Sequence, residues 1–170
     1  MKLLAEISDA TVGIGVAEKL GETYQLRKSA RVILENEHGE IAIQHLQNYG
    51  FYKLPGGGID DGESNEGALK REVQEEVGCT CQVVRPIGMI IEYRDKYKLL
   101  HMSYCYVAKI TSVISEPAFE EAEIKAGQKN IWVNPNTVLA LVESGERTNY
   151  ESHFNIPREL TFLNEYLATK

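Results

Sequence analysis

Gly57-Gly-Ile-Asp-Asp-Gly-Glu63 and, after seven residues, Arg71-Glu72-Val-Gln-Glu75-Glu76-Val-Gly78-Cys79 decide how the rest of the chain is read. Between and through these runs, Ser64–Val77 carries Ala68, Leu69, Val73 and Val77 at near-helical spacing, which predicts a helix. Ser64 is placed to cap its start, Glu63 and Glu66 suit the positive end of its dipole, and Gly78 suits a left-handed end. On this helix Glu72, Glu75 and Glu76 stand at i, i+3 and i+4 and share a face. Two carboxylates ~5 Å apart repel by roughly 3 kcal/mol at an effective dielectric near 20. A helix built only for stability avoids such a patch. A bound Mg²⁺ or Mn²⁺ relieves it, because hard cations take oxygen ligands. The apolar stripe is offset from the patch, so the helix is expected to pack on one side and show its carboxylates on the exposed other. Gly56-Gly57-Gly58 lets a backbone carbonyl approach a metal or phosphate closely. Arg71 is placed to orient or neutralise a carboxylate. Taken singly, a Glu-rich helix is a solvated face and Pro55 with three glycines is a turn; the combination carries the chemistry.

Working outward, strand patterns flank the helix. Tyr24–Glu35 and Ile41–Leu46, joined by the turn Asn36-Glu-His-Gly39, read as a β-hairpin. Phe51–Leu54 is a short strand stopped by Pro55. Cys79–Tyr93 and Lys98–Ile110 read as two long strands around a turn at Arg94-Asp-Lys. Pro117–Gly127 is an acidic connection, Ile131–Val133 a short strand, and Asn136–Glu143 and Pro157–Ala168 are helical. Residues 1–23, with weak alternation around Thr11–Val16, are expected to form an N-terminal strand or arm. This order implies a mixed sheet with helices on its faces.

The chain has 170 residues, enough for one domain with a real core and no need of disulfides. Its formal charge of −7 makes it a poor default binder of nucleic acid. No apolar run approaches the length of a membrane span, and the N-terminus lacks the apolar stretch of a signal peptide. Three cysteines, Cys79, Cys81 and Cys105, form no C-x-x-C pair and read as reduced thiols of a cytoplasmic protein.

The composite pattern G-x5-E-x7-R-E-U-x-E-E-x-G-U, with U a bulky apolar residue, resembles the signature of the Nudix hydrolase family. Gly57, Glu63, Arg71, Glu72, Glu75, Glu76 and Gly78 fill every fixed position and Val73 the first apolar one; Cys79 stands where Ile, Leu or Val is commoner. The box covers residues 57–79, and the flanking strands, Trp132 and C-terminal helices extend the resemblance over roughly 24–168. The resemblance implies an α/β/α sandwich and divalent-metal-dependent hydrolysis of a pyrophosphate bond in a nucleoside diphosphate linked to another moiety. It implies Glu72, Glu75, Glu76 and the Gly56 carbonyl as Mg²⁺ or Mn²⁺ ligands, one glutamate also serving as base. Gly57, Glu63, Arg71 and Gly78 would hold the loop and helix in place. Relatives often add a glutamate from a later loop; Glu120, Glu121 and Glu123 are the candidates and Glu121 is preferred. Tyr93, Arg94 and Tyr97 are candidates to line the substrate pocket, Tyr97 because dinucleoside polyphosphate hydrolases often carry a tyrosine near that spacing. A Pro stands near position 94 in some ADP-ribose hydrolases, and here it is Arg94. A homodimer is compatible with the resemblance.

Other motifs fail. No G-K-[ST] follows the glycines, and Asp60-Asp61-Gly62-Glu63 lacks EF-hand spacing. The four histidines form no zinc pair. Two alternatives to hydrolysis stay open: a non-catalytic nucleotide-sensing module of the same fold, and an isoprenoid diphosphate isomerase, which would need a cysteine at the site.

Overall fold

The computed structural model describes residues 1–15 and 23–170. In chain order the elements are β1 (Leu3–Ser8), β2 (Gln25–Glu35), β3 (Ile41–Leu46), β4 (Phe51–Lys53), α1 (Asn65–Val77), β5 (Cys79–Arg94) and β6 (Leu99–Val113). They continue with α2 (Glu121–Lys125), β7 (Gln128–Val133), α3 (Pro135–Glu143) and α4 (Tyr150–Ala168). The described strands form one mixed sheet in the order β1-β5-β6-β2-β3-β4, with β7 on β3.

β5 and β6 make the long antiparallel ladder, from Cys79 opposite Val113 to Arg94 opposite Leu99. Pro86, which has no N–H for a ladder, sits at one of its register shifts. β2 runs parallel to β6 along its whole length. The expected hairpin of β2 and β3 is corrected here: the two strands meet only where Glu35 faces Ile41. The glycine loop takes the edge of β2 instead. Ala30 N–H donates to Gly57 O at 3.0 Å, Val32 N–H to Pro55 O at 3.0 Å and Ile59 N–H to Lys28 O at 3.1 Å. β3 turns away and pairs with β4 and β7. This wedge fixes the loop against the sheet.

Side-chain alternation divides the core into two layers. On one face Ala68, Leu69 and Val73 of α1 pack on Ala30, Val32, Leu34 and Ala108. On the other, Val138 and Val142 of α3 and Phe154, Phe162, Leu163 and Tyr166 of α4 pack on Ile33, Ile43, Ile90 and Val107. The expected α/β/α sandwich is the observed one.

Three expectations need amendment. The N-terminal strand is Leu3–Ser8, parallel to β5, while residues 11–15 turn; residues 16–22 of the expected arm lie outside the described residues. The acidic connection holds the short helix α2, closed at its start by Glu120 and Glu123 in a capping box. α4 begins at Tyr150 rather than Pro157, because Asn149 caps it and accepts from Ser152 N–H. A proline in a helix interior costs about 3 kcal/mol. Burying Phe154 and Ile156 ahead of it, at about 1.5–3 kcal/mol each, offsets that.

Candidate active site

The glycine loop and α1 meet around a pocket of about 580 Å³. Ser64 Oγ accepts from Gly67 N–H, and Gly78 ends the helix at φ 75°, so the box helix is closed at both ends as expected. Gly56 has φ 127°, and a Cβ there would lie 2.1 Å from Ala30 O. Only glycine lets the loop press onto β2 at this point. A Cβ on Gly57 would meet the Glu72 carboxylate at 2.3 Å.

Arg71 is the clamp. Its guanidinium reaches Glu63 at 3.1 Å, Glu72 at 2.9 Å, Glu75 at 3.2 Å and Gly58 O at 2.9 Å. Arg71, with the Asp60 N–H behind it, holds the Glu63 carboxyl below its ordinary pKa. Glu72 goes the other way: burial and then the charge of Glu76 raise its pKa against the pull of Arg71.

Glu76 corrects the expectation of an exposed carboxylate patch. It is 2% exposed and faces inward from α1. Lys53 Nζ stands 3.2 Å from one carboxylate oxygen and Gly56 N–H donates to the other at 2.5 Å. Gln128 Nε2 approaches at 3.4 Å, and Asn130 Nδ2 donates to the Glu76 backbone carbonyl at 2.6 Å. Burial opposes the charged form, but Lys53, Glu123 and the Gly56 N–H outweigh it and lower its pKa. Its neighbour Glu123 is pushed up to about 7, by burial first and then by Glu76. One carboxylate of this pair holds its charge at the expense of the other.

Glu123 and Glu120 line the pocket with Glu72, Glu75 and Glu76. Glu121, the preferred glutamate of the three, is exposed and not on the pocket wall. The short helix turns it outward while its capping box draws Glu123 in. Six carboxylates, those of Asp60, Glu72, Glu75, Glu76, Glu120 and Glu123, and the Gly56 residue line one cavity with Arg27, Arg31, Lys53 and Arg71; its metal-ligating groups are all oxygen donors, which suits a hard divalent cation. Among the described residues no three such groups converge at ligand distance as they stand. Arg71 draws Glu72 and Glu75 to itself, and Lys53 and Gly56 hold Glu76. The Gly56 carbonyl accepts from Arg31 Nη1.

The three residues expected to line a substrate pocket do not gather at this one. Tyr93 lies on the face of β5 opposite Arg94, with its hydroxyl 3.4 Å from Glu6. Tyr97 is exposed and meets Tyr150 edge-on at 5.2 Å. Arg94 is buried, 2.8 Å from Glu92, paired also with Glu151 and stacked over Phe154 at 5.0 Å. It borders a second cavity beside the first. Neither Cys79 nor Cys105 lines the pocket; burial pushes the Cys79 thiol up to about 11 and the Cys105 thiol well above its ordinary value. Cys81 is also absent from the pocket wall, so no cysteine stands where an isomerase would use one.

Sequence reading missed Lys53, Arg31, Gln128 and the buried ionic network next to them. Lys53, the one cation in a short strand entering the glycine loop, was a usable signal. In the network Glu92, fully buried, faces Arg94, Arg158 at 3.3 Å and His101 at 2.8 Å. Glu92 accepts only, so His101 Nδ1 donates to it and Nε2 accepts from Ser29 Oγ at 2.9 Å. Burial lowers the His101 pKa to about 4, despite Glu92, so the ring is neutral at pH 7. Glu92 is held far below the carboxylate range: burial opposes this, and Arg158, Arg94 and His101 outweigh it.

An α/β/α sandwich with a glycine loop and a glutamate helix around an oxygen-lined pocket defines the class. The NUDIX domain model matches residues 25–153, and the chain belongs to this family of hydrolases. It is 31% identical over 112 residues, 64% of this chain and 76% of the relative, to an 8-oxo-dGTP diphosphatase of Haemophilus influenzae. It is 30% identical over 123 residues to diphosphoinositol polyphosphate phosphohydrolase 2 of Rattus norvegicus, covering 72% of this chain and 65% of that one. An RNA pyrophosphohydrolase of Vibrio cholerae is 39% identical over 68 residues, 40% of this chain and only 38% of the relative. Among solved structures, a NUDIX hydrolase from Nitrosomonas europaea superposes with a TM-score of 0.66 at 17% identity, covering 86% of this chain and 91% of that one. A MutT protein from Methanosarcina mazei Go1 gives 0.55 at 19%, covering 82% and 98%. These last two share the fold. Among the described residues no helix is long and apolar enough to cross a membrane.

Proposed function

We propose that this chain is a cytoplasmic, divalent-metal-dependent hydrolase that cleaves a pyrophosphate bond in a nucleoside diphosphate derivative. The observation that carries the reading is the single pocket walled by Glu72, Glu75, Glu76, Glu123 and the Gly56 carbonyl, with Arg71 clamping the loop to the helix. The named relatives act on three different phosphorylated molecules, and the element common to their names is a diphosphate or pyrophosphate bond.

Glu72, Glu75, Glu76 and the Gly56 carbonyl would hold Mg²⁺ or Mn²⁺, which when bound neutralises the diphosphate and acidifies the attacking water. Arg71 keeps Glu63 on the loop and Glu72 on the helix in one frame, so the loop carbonyl and helix carboxylates stay in register. Lys53 and the Gly56 N–H keep Glu76 charged inside the protein. Glu123, in the place first assigned to Glu121, takes the proton of the attacking water. The water oxygen bonds to phosphorus, the bridging P–O bond breaks, and the electron pair leaves on the departing phosphate.

The test is incubation with Mg²⁺ and a panel of nucleoside triphosphates, nucleoside diphosphate sugars, dinucleoside polyphosphates and dinucleotide cofactors in ¹⁸O-water. Cleavage at a pyrophosphate bond with ¹⁸O in one product is the expected result. Silence across the panel while Mg²⁺ binds favours the sensing module.

A further inference from the structure

The pocket with six carboxylates has a neighbour of opposite character. A second cavity of about 200 Å³ lies on the α4 side of the sheet, at the end where β2, β5 and β6 carry polar side chains. Arg27, Arg31, Lys53, Arg94 and Arg158 line it, against a single carboxylate, Glu151. Arg27, Arg31 and Lys53 line both cavities, so they form the wall between the acidic and the basic one. In a chain of charge −7 this is a local reversal of sign.

Three of these cations are already answered. Lys53 pairs with Glu76, Arg94 with Glu92 and Glu151, and Arg158 with Glu92 and Glu159. The other two have no carboxylate partner among the described residues. Arg27 is exposed and makes no hydrogen bond or ion pair with any described residue. Arg31 is 7% exposed; its Nη1 donates to the Gly56 carbonyl, but it has no ion pair among the described residues and its Nε is buried without a hydrogen-bond partner. A buried unpaired donor on a charged group is expensive. Glu76 and Glu159 act on Arg31 only through space, while burial, Arg158 and Arg27 press its pKa down to about 10. An anion between Arg27 and Arg31 would satisfy the free Nε and relieve the repulsion between the two guanidiniums.

We propose that the second cavity is an anion subsite in which Arg27 and Arg31 bind a substrate phosphate lying outside the scissile bond. The chain then prefers nucleotide derivatives that carry an additional phosphate over those whose second moiety is uncharged. This use rests on reading the first pocket as the hydrolytic site; the anion binding does not. Arg94 and Arg158 set the positive floor, and Tyr49 and Phe51, stacked 6.4 Å apart, close one side.

The experiment is a titration of inorganic phosphate into the metal-free protein in chelator, followed by amide NMR and calorimetry. Without metal the six carboxylates of the first pocket outnumber its four cations and disfavour phosphate there. The expected result is one site, with shifts at Tyr49, Phe51, Arg27 and Asn155 and none at Glu72 or Glu75. R27Q, a change at an exposed unpaired side chain, should keep the melting temperature and weaken binding about tenfold, the worth of one charge-assisted hydrogen bond. R31Q should do at least as much, and R27Q decides the matter if R31Q does not fold. No binding at millimolar phosphate, equal affinity in R27Q, or shifts centred on Glu72 would overturn the subsite. In turnover, the preference for a substrate with one further phosphate over its dephospho counterpart should fall about tenfold in R27Q. Arg27-dependent phosphate binding without hydrolysis of any panel member would leave the subsite standing and remove the hydrolytic reading. Hydrolysis with phosphate affinity unchanged in R27Q would remove the subsite alone.

Discussion

Glu76 and Glu92 are both buried carboxylates, 2% and 0% exposed, yet their surroundings are opposite. Glu92 faces Arg94, Arg158 and His101, and its charge is fully answered. Glu76 has one ammonium and two polar N–H groups at hydrogen-bond distance, with a second carboxyl, Glu123, against it. The first arrangement ties α4 to the sheet. The second leaves negative charge in excess at the mouth of a cavity, where a cation and a phosphorylated ligand have a use for it. Burial alone therefore does not separate a structural carboxylate from a functional one; the state of its partners does.

Five substitutions sharpen the contrast. E92Q leaves two buried guanidiniums short of a partner and should lose about 3–5 kcal/mol of stability in chemical denaturation. Activity per folded molecule should be unchanged; a stable E92Q would show the network to be dispensable. E76Q should lose about 10²–10³-fold in kcat. Its melting temperature should stay within a few degrees of the wild type, because the change also relieves Glu123. Near-normal turnover would break the ligand assignment. His101 extends the contrast to pH. Its folded pKa of about 4 lies below its ordinary value of 6.5, so it contributes stability that is full above 6.5 and is lost as pH falls through 4. The loss is on the order of 3 kcal/mol, and urea midpoints between pH 7 and 4 should fall less steeply in H101Q. At the cavity mouth, E123Q should lower kcat by about 100-fold, the low end for a general base, whereas E121Q should stay within about twofold, as is usual for an exposed side chain. Equal effects would return the assignment to Glu121.

Much of this was legible in the sequence, for reasons of period and spacing. The cap at Ser64, the left-handed Gly78, the Arg71 clamp and the two long strands β5 and β6 around their turn are local features that local rules read well. What failed depended on distant partners. The i, i+3, i+4 spacing placed Glu76 with Glu72 and Glu75, but only the approach of β4 and β7 decides that Glu76 turns inward. The turn between β2 and β3 is real, and the loop at Pro55–Ile59 intrudes to prevent the hairpin. Glu121 and Glu123 are indistinguishable as letters; a two-residue step on a short helix points them apart. Glu92, His101, Arg158 and Glu159 each look like an ordinary surface residue until α4 folds over the sheet.

The most direct test of the central claim needs no substrate. Thermal unfolding of the wild type and E76Q should be measured with and without Mg²⁺ at about ten times its Kd. A ligand of the native state then adds about 1.4 kcal/mol, a rise of about 3–5 °C for a chain of this size. If Glu76 is a metal ligand, that rise appears in the wild type and is lost in E76Q. An equal rise in both proteins, or none in the wild type at millimolar Mg²⁺, would contradict the ligand assignment.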